Sequence, residues 1–305
     1  MDGITVLSLF DGMSCGQIAL NRIGIKPGKY FAAEIKKIAI KVTKHNFPDT
    51  IHIGDVTKVS YKDGVLYTEN GNYEVGHIDL LCGGSPCQDL SGMNPKQVGL
   101  SGTKSSLFWE YTRIKREANP TYFLLENVGS MPYKDAMAIT KSIGVDGVRI
   151  NSSLVSAQLR DRIYWTNIPG TGTNLFGGGQ IEQPKDKNIM LKDILESGYT
   201  DRCKSKAILR RYALACPTNK DKLIKYINKR YKKLFMQIIF ESKDYDPESA
   251  RLLTRTELER LQTVPEGYTD CLSYSQASDV IGDGWTVDVI CHMLKGLPYN
   301  KSVLT

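Results

Sequence analysis

The sequence predicts an α/β fold built on a mostly parallel β-sheet with helices on its faces. Three observations predict it. Short apolar runs alternate with amphipathic stretches over the first half of the chain, a glycine-bearing turn joins the first run to the first helix, and acidic or reactive side chains stand where the runs end. Strands spaced by helices indicate βαβ units. We expect a ligand site at the carboxyl edge of such a sheet.

The predicted elements follow from these patterns in chain order. Short apolar runs are predicted as strands, and amphipathic stretches bounded by glycine or polar turns are predicted as helices. The strands are Ile4–Phe10, Tyr30–Glu34, Thr50–Ile53, Ile78–Cys82, Tyr122–Glu126, Val148–Asn151 and Arg162–Thr166. The helices are Cys15–Ile23, a helix that ends near Asn46, Ser106–Glu117, Arg255–Leu261 and Val287–Leu294.

Composition argues against several classes of protein. The 305 residues are 41% hydrophobic and 24% charged, an ordinary globular profile. No apolar run approaches the ~20 residues of a membrane-spanning helix, and the acidic start Met1–Val6 is not typical of a signal peptide. The cysteines are odd in number and form no Cys-x-x-Cys pair, and the histidines show no metal-ligand spacing. We therefore expect no disulfide and no metal site, in a reducing cytoplasm.

The excess positive charge is concentrated in one segment. The net charge of the chain is +7, yet residues 201–235 hold twelve Lys and Arg against two acids, so the remainder is slightly acidic. Tyrosines are interleaved with these bases. Such a segment indicates a surface that contacts nucleic-acid phosphates. The alternative is a solvated helix face.

Three positions in order describe a pocket for an adenosine-containing cofactor. The turn Phe10–Gly16 lacks the Gly-x-Gly-x-x-Gly dinucleotide pattern but still lets a ligand approach a helix N-terminus. Glu34 ends the second strand at the spacing typical of an acid that binds ribose hydroxyls. Asp55 ends the third strand, where it is placed to accept from an adenine amino group. Each acid alone is also explained as a helix cap or a surface carboxylate.

The strand Ile78–Cys82 leads directly into Gly83-Gly84-Ser85-Pro86-Cys87. A thiol presented on a rigid turn at a sheet edge is typical of a nucleophile. The alternative is a small hydrophobe in a βα turn. Glu126 ends the fifth strand on the same edge, where it is placed to hydrogen-bond a polar heterocycle or to cap a helix.

Two arginines precede the last strand of the sheet. In the run Gln158-Leu159-Arg160-Asp161-Arg162, alternation puts Gln158, Arg160 and Arg162 on one face. Two arginines on one face suit contacts with an anion or a phosphate. A salt-bridged edge strand is the alternative.

Taken in order, these motifs resemble those of the cytosine-5 DNA methyltransferase family over nearly the whole chain. Ser8–Gly12 and Gly282–Val287 look most like the animal de novo enzymes, although most bacterial members have Gly-Asn where this chain has Gly282-Asp283. The length is similar to that of stand-alone bacterial or phage enzymes. The motifs that carry the resemblance are Phe10–Gly16, Glu34, Asp55, Pro86-Cys87, Glu126-Asn127-Val128, Gln158–Arg162 and Arg251–Gln262.

The resemblance implies a Rossmann-like, S-adenosylmethionine-dependent fold with a seven-stranded sheet. It implies a catalytic and cofactor-binding domain at 1–168 and 272–305, and a target-recognition domain at 169–271. Cys87 would attack carbon 6 of a cytosine flipped out of duplex DNA. Glu126 would contact the N3 and amino edge of the base, and Arg160 and Arg162 would orient it. The cofactor product would be S-adenosylhomocysteine.

The resemblance and the charge pattern also predict binding residues. Cofactor contacts are expected at the first turn, at the strand ends, beside the nucleophile and near the end of the chain: Phe10, Asp11, Gly12, Met13, Ser14, Gly16, Glu34, Ile35, Asp55, Val56, Ser85, Pro86, Trp285 and Val287. DNA contacts are expected beside the nucleophile and in the basic segment: Gln88, Ser91, Arg202, Arg210, Arg211, Lys225, Lys229 and Arg230.

The expected partner is duplex DNA, bound by a monomer in the cytoplasm of a bacterial or phage-infected cell, at its nucleoid. A cognate restriction enzyme is a further partner that the resemblance suggests, and neither a metal nor a membrane is expected. Two other functions were weighed. The branch that modifies transfer RNA carries a Cys-Phe-Thr signature that this sequence lacks. A non-catalytic DNA-binding paralogue would lose the nucleophile, the acid or the cofactor residues, which are present here.

Overall fold

The computed structural model describes residues 3–86, 90, 99–102, 105–170, 172–173, 179–209, 220–230 and 237–298. Strands are numbered along the chain. They are β1 Thr5–Leu9, β2 Lys29–Ala33, β3 Ile51–Gly54, β4 Ser60–Lys62, β5 Val65–Thr68, β6 Gly71–Glu74, β7 Leu80–Gly84, β8 Tyr122–Val128, β9 Gly147–Asn151, β10 Gln158–Leu159, β11 Asp161–Thr166, β12 Gly172–Thr173, β13 Gly179–Gln180, β14 Ser205–Lys206, β15 Ile239–Phe240 and β16 Ala250–Arg251.

A seven-stranded sheet in the order β3-β2-β1-β7-β8-β11-β9 forms the centre of the protein. Strands β3, β2, β1, β7 and β8 run parallel, whereas β11 runs antiparallel to both of its neighbours. Each of the seven runs predicted as strands forms one strand of this sheet. The mostly parallel α/β fold is therefore confirmed, and the carboxyl ends of its parallel strands meet at one edge.

Side chains of the central strands pack into a core on each face of the sheet. In β1, Val6 belongs to one core and Leu7 and Leu9 belong to the other, and all three are fully buried. Successive side chains of a strand point to opposite faces. Because both faces are covered, both sets of positions must be apolar, which explains the continuous apolar runs of the sequence.

Helices supply the outer layers. The helices are α1 Cys15–Arg22, α2 Lys37–Asn46, α3 Phe108–Ala118, α4 Tyr133–Ile143, α5 Lys220–Arg230, α6 Arg255–Leu261, α7 Tyr274–Asp283 and α8 Val287–Leu294. The bounds predicted for α6 and α8 are confirmed. The last of these helices lies against the first: Cys291 Sγ donates to Ala19 O, and Arg22 forms an ion pair with Asp288.

Several elements were not predicted from the sequence. Strands β4, β5 and β6 form an antiparallel meander, and α4 and α7 were missed. The sequence does contain local signals for the meander and for α7. Asp63-Gly64 has positive φ at both residues, as Asp-Gly hairpin turns require. Ser273 Oγ accepts from the Gln276 amide as the N-cap of α7, in a capping box that the Ser-x-x-Gln spacing encodes.

The carboxylate of Glu257, in the first turn of α6, connects that helix to the segments around Glu196 and Arg251. Glu257 is fully buried. It accepts from Arg251 Nη1 and Nη2 at 2.8 Å each, from the Thr254 amide at 2.8 Å and from the Glu196 amide at 2.9 Å. A buried charge is stable only when it is paired and hydrogen-bonded in this way. The Arg251–Gln262 motif is therefore, at its start, a structural element.

We expect Glu257→Ala to lower the free energy of unfolding by about 3 kcal/mol. The substitution removes the buried carboxylate that pairs with Arg251 and that accepts from the Thr254 and Glu196 amides. Urea denaturation measures the change. Glu266→Ala is the matched control, since Glu266 forms an exposed ion pair with Arg260 and such pairs contribute little. Equal losses in the two variants would show that the buried cluster has no special role.

Candidate active site

A cavity of about 510 Å³ lies at the carboxyl edge of the parallel strands. The ends of β1, β2, β3, β7 and β8 contribute to its walls, and the turn between α7 and α8 closes it from the other side. This is the edge at which open α/β sheets bind ligands. The predicted cofactor residues that line it are Phe10, Asp11, Gly12, Met13, Glu34, Ile35, Asp55, Val56, Ser85, Pro86 and Trp285.

The turn after β1 is held in an uncommon conformation. Phe10, Gly12 and Ser14 have φ of 56°, 60° and 64°. Glycine adopts positive φ freely, but Phe and Ser do so at a cost. The Asp11 amide donates to Ala33 O at 3.1 Å, and the Gly12 amide donates to Glu34 Oε2 at 2.8 Å. These bonds hold the turn against the end of β2.

Asp11 is a half-buried carboxylate at the floor of the cavity. Tyr30 Oη donates to its Oδ1 and Ser14 Oγ donates to its Oδ2, each at 2.7 Å. Burial raises the pKa of Asp11 to about 6, although hydrogen bonds from Ser8, Ser14 and Tyr30 oppose the shift and the nearby charge of Glu34 adds to it. Two acids close together at this floor suit a ligand that carries positive charge.

The two acids that end β2 and β3 also hold their own backbone. Glu34 Oε1 accepts from the Ile35 and Lys36 amides at 2.8 Å each. Asp55 Oδ1 accepts from the Thr57 amide at 2.9 Å, as the N-cap of the 3₁₀-helix Val56–Lys58. Both acids still line the cavity. Asp55 is therefore both a helix cap and a residue of the cavity wall, whereas Glu34 lines the cavity and holds the backbone that follows β2 without capping a helix.

Glu126 lies at the end of β8 and is 8% exposed. Arg162 Nε lies 2.7 Å from Glu126 Oε1, and Trp285 Nε1 donates to Oε2 at 3.0 Å. All three side chains line the cavity. The structure thus brings together two of the predicted catalytic residues, a carboxylate and a guanidinium, beside a predicted cofactor residue.

Asn127 holds the start of the segment that carries the predicted nucleophile. Its Nδ2 donates to Ser85 O at 3.2 Å and to Ser85 Oγ at 3.1 Å. Ser85 is buried, and Pro86 follows it at the cavity wall. No role for Asn127 was predicted from the sequence. The signal was a polar residue next to Glu126 within a buried strand.

Arg160 is buried and points to backbone carbonyls. Its Nη1 donates to Ile208 O at 3.3 Å, and its Nη2 donates to Gly282 O at 3.1 Å and to Gly284 O at 2.9 Å. It also lines the cavity. The two arginines, which were predicted to share one face, therefore have different partners. Arg162 pairs with the Glu126 carboxylate, whereas Arg160 connects the turn after α7 to the segment around Ile208.

Gln158 and Gln262 form a second buried connection beside Arg160. Gln262 Nε2 donates to Ile281 O at 2.9 Å and to Gly284 O at 3.0 Å. Gln158 Nε2 lies 3.3 Å from Gln262 Oε1, and Gln158 Oε1 accepts from the Ile208 amide. Both glutamines are fully buried. The final residue of the Arg251–Gln262 motif therefore supports the cavity wall without facing it.

Lys36 bridges the cavity mouth. Its Nζ lies 2.9 Å from Asp279 Oδ2 and 2.9 Å from Asp283 Oδ2. Lys36 precedes α2, and both aspartates belong to α7. Asp283, which stands where most bacterial members of the resembled family have Asn, thus finds an ion-pair partner across the cavity.

Three predicted cofactor residues lie behind the cavity wall. Ser14 donates to Asp11, Val287 is fully buried at the start of α8, and a Cβ at Gly16 would lie 3.0 Å from Tyr30 Oη. None of them is among the residues that line the cavity. Their contribution is to pack the residues that do.

Some of the predicted residues lie outside the part of the chain that the structure describes. They include the predicted nucleophile and four predicted DNA contacts: Cys87, Gln88, Ser91, Arg210 and Arg211. The backbone of Lys229 and Arg230 belongs to α5, but their side chains are also outside the described set.

The described part of the basic segment contains both exposed and committed bases. Lys225 is exposed on α5, whose Leu223 and Ile227 are buried in the core. Arg202 is largely covered, with Nε 3.8 Å from Asp201 Oδ1. Lys204 Nζ donates to the carbonyls of residues 153, 156 and 189 at 2.6 to 3.0 Å. Lys204 is therefore a structural cation rather than part of a phosphate-contacting surface.

Among the described residues, no group of three or more His, Cys, Asp or Glu side chains is arranged to hold a metal ion. None of the helices in that set is both long enough and apolar enough to cross a membrane.

Comparison with known proteins gives consistent matches. The family model for C-5 cytosine-specific DNA methylase matches residues 4–146. The chain is 27% identical to the type II methyltransferase M1.ScrFI of Lactococcus lactis subsp. cremoris, over 93% of this chain and 75% of that protein. It is 30% identical to the orphan methyltransferase M.Rho11sI of Bacillus phage rho11s and 29% identical to the type II methyltransferase M.NgoBV of Neisseria gonorrhoeae. These two alignments cover 65% of this chain but only 38% and 48% of those relatives.

Solved structures share the fold at low sequence identity. Entamoeba histolytica methyltransferase EhMeth superposes with a TM-score of 0.65 at 16% identity, over 97% of this chain and 98% of that chain. Spodoptera frugiperda DNMT2 superposes with a TM-score of 0.60 at 18% identity, over 96% and 99%. A putative DNA modification methyltransferase encoded within an E. coli prophage gives 0.57 at 20% identity, over 96% and 98%.

The raised pKa of Asp11 predicts how stability depends on pH. A folded-state pKa of about 6 against 3.8 means that the native state resists ionisation, so the contribution of this group to stability falls as pH rises from about 4 to about 6 and then levels off. We expect Asp11→Asn to remove that loss. The free energy of unfolding of the variant, minus that of the wild type, should rise by about 2 kcal/mol between pH 4.5 and pH 8.

Urea denaturation at the two pH values measures this difference. Asp146→Asn is the control, because Asp146 is exposed. An Asp11→Asn difference that is independent of pH would show that Asp11 ionises as readily in the native state as in the unfolded chain.

Proposed function

Because this chain belongs to the family of C-5 cytosine-specific DNA methylases, we propose that it methylates carbon 5 of a cytosine in duplex DNA, with S-adenosylmethionine as the methyl donor and Cys87 as the nucleophile. The observation that carries the proposal is the Glu126–Arg162 pair, which opens into the same cavity as the acids of β1, β2 and β3. One wall can thus hold a base while the other holds a nucleoside cofactor.

The residues of the cavity fit S-adenosylmethionine. Glu34 and Asp55 end adjacent parallel strands, at positions suited to ribose hydroxyls and to an adenine amino group. Ile35 is 70% exposed at the cavity lip, so its side chain is free to cover a flat ring. Asp11 supplies negative charge at the floor. The bound cofactor would supply a methyl group activated by a sulfonium.

The protein residues of the base site follow from the ends of β7 and β8. Asn127 anchors Ser85, and Pro86 restricts the backbone immediately before Cys87. We propose that the Cys87 thiolate attacks carbon 6 of a cytosine that has been flipped out of the duplex. Glu126 then accepts from the amino group of the base and stabilises the N3 edge, while Arg162 holds Glu126 in place.

The covalent step makes carbon 5 nucleophilic. Formation of the Cys87 Sγ–C6 bond moves the C5=C6 electron pair toward carbon 5. That carbon would then accept the methyl group as the sulfonium S–CH3 bond breaks, leaving S-adenosylhomocysteine. Removal of the proton from carbon 5 by a base or water restores the double bond as the Sγ–C6 bond breaks. Cys87 leaves as a thiolate and the enzyme is regenerated.

Residues 169–271 are proposed to deliver the target site, with residues 1–168 and 272–305 as the catalytic part. The exposed base Lys225 on α5 supports this assignment, because exposed cations attract phosphates without reading sequence. A transfer-RNA substrate is the alternative that the family resemblance leaves open, and the test below distinguishes the two substrates. We also propose that the protein acts as a monomer in the cytoplasm of a bacterial or phage-infected cell. Its relatives include type II methyltransferases of bacteria and an orphan methyltransferase of a phage, and the type II names favour a cognate restriction enzyme as a further partner.

We expect Cys87→Ala to abolish methyl transfer, lowering the rate by about a thousandfold or more, because no other group forms the covalent bond to carbon 6. The measurement is transfer of labelled methyl from S-adenosylmethionine to cytosine-containing duplex DNA. Cys203→Ala is the matched control, since Cys203 is an exposed thiol away from the cavity residues.

Two results would contradict the proposal. Equal label transfer by the Cys87→Ala variant and the wild type would eliminate this nucleophile. Transfer by the wild type to transfer RNA in preference to duplex DNA would assign the other substrate.

Removal of the charge at Lys225 should weaken DNA binding alike for all sequences. We expect Lys225→Gln to reduce the slope of log K against log salt concentration by about 1, because one phosphate contact is lost. Titration of a labelled duplex at several salt concentrations measures the slope. Lys26→Gln is the control, since Lys26 is exposed before β2, at the opposite edge of the sheet. An unchanged slope for Lys225→Gln would remove this residue from the DNA-binding surface.

A further inference from the structure

The carboxylate of Glu126 has a donor on each oxygen. Arg162 Nε lies 2.7 Å from Oε1, and Trp285 Nε1 donates to Oε2 at 3.0 Å. Only 8% of Glu126 is exposed, so water competes weakly for these hydrogen bonds. The proposed reaction gives Glu126 and Arg162 roles but does not account for the indole N–H.

The indole ring lies between two glycines that belong to different parts of the site. A Cβ at Gly16, in the first turn of α1, would lie 3.9 Å from Trp285 Cζ3. A Cβ at Gly84, at the end of β7, would lie 2.9 Å from Trp285 Nε1 and 2.8 Å from Glu126 Oε2. Any larger residue at position 84 would therefore crowd the hydrogen bond itself. The ring spans from the turn after β1 to the carboxylate of β8.

The backbone that carries Trp285 is held on both sides. Arg160 Nη2 and Gln262 Nε2 donate to Gly284 O at 2.9 Å and 3.0 Å. On the other side, Thr286 Oγ1 donates to Gln262 Oε1 at 2.8 Å. These bonds are buried and leave the turn little freedom. The indole N–H is therefore a preorganised donor, of the kind that orients a functional group without touching the substrate.

We propose that Trp285 is a positioning residue that couples occupation of the cofactor cavity to recognition of the target base. Its ring forms part of the wall of the cavity, and its N–H fixes the carboxylate that would meet the cytosine. Because the backbone is held, the orientation of the Trp285 side chain sets the position of its N–H. A ligand packed on the indole ring favours one such orientation, and the N–H in turn favours one orientation of the Glu126 carboxylate. Since such coupling is reciprocal, the base must tighten cofactor binding by the same factor. This inference rests on the proposed function.

The first test separates the N–H from the ring. Trp285→Phe should lower kcat by about tenfold or more, because a hydrogen bond to a charged group is lost, and KM for the duplex at saturating cofactor should rise by the coupling factor that the variant loses. Trp109→Phe is the matched control, because its indole is 46% exposed outside the cavity. β-(3-Benzothienyl)alanine at position 285, which replaces only the N–H by sulfur, should reproduce the loss of kcat with unchanged affinity for S-adenosylhomocysteine.

The second test measures the coupling directly. Calorimetry gives the affinity for S-adenosylhomocysteine without DNA and with a duplex that the wild-type protein methylates. We expect the duplex to strengthen cofactor binding to the wild type and to have nearly no such effect on Trp285→Phe. In a Glu126→Ala background, Trp285→Phe should cause no further loss of coupling, because the two residues act through one hydrogen bond.

The outcomes separate the two levels of the proposal. A wild-type protein that methylates no cytosine-containing duplex overturns the proposed function and the coupling with it. An active wild type whose benzothienyl variant keeps both its kcat and its coupling overturns the coupling alone. Losses by Trp285→Phe and Glu126→Ala that add in the double variant would also overturn it, because independent sites add.

Discussion

The carbonyl oxygen of Gly284 receives two buried hydrogen bonds, from Arg160 Nη2 and Gln262 Nε2, and the geometry of the cavity depends on them. The three residues come from segments that are far apart in the sequence. Arg160 is 4% exposed, so a turn that moved away would leave a buried guanidinium poorly compensated, which is strongly unfavourable. The turn is thereby fixed against the sheet, and everything that it presents to the cavity is fixed with it.

The cavity is built from charged groups that are each engaged before any ligand arrives. Glu34 holds three backbone amides, Glu126 holds Arg162, and Lys36 joins two aspartates of α7. Asp11 differs, because its partners are hydroxyl groups and burial raises its pKa to about 6. A fixed charge pattern is useful for binding because little reorganisation is needed when a ligand enters. The first turn contributes in the same way, by storing strain at Phe10 and Ser14.

Most of the sheet could be predicted from the sequence because a strand that is buried on both faces is apolar throughout, and because acids at strand ends mark the ligand edge. The meander β4–β6 was missed because its strands are only three or four residues long, although Asp63-Gly64 marked one of its turns. The roles of Asn127, Gln262 and Lys204 depend on which carbonyls and hydroxyls lie opposite them. Those partners are 15 to 51 residues away in the chain, so no local pattern could identify them. The charge pattern of the basic segment likewise could not distinguish Lys204, which donates to backbone carbonyls, from the exposed bases.

The packing of α8 against α1 also sets when the site becomes complete as the protein is made. Arg22 and Asp288 are 266 residues apart, yet they form one ion pair. A ribosome adds about 5–20 residues per second, so the interval between the synthesis of the first turn and that of Trp285 is on the order of ten seconds or more. Once residue 166 has been made, the growing chain has its glycine turn and every strand of its central sheet but still lacks one wall of the cavity. The cavity is therefore completed in a late step of translation, and a chain cut short before residue 285 carries the proposed nucleophile Cys87 without the residues that would direct it.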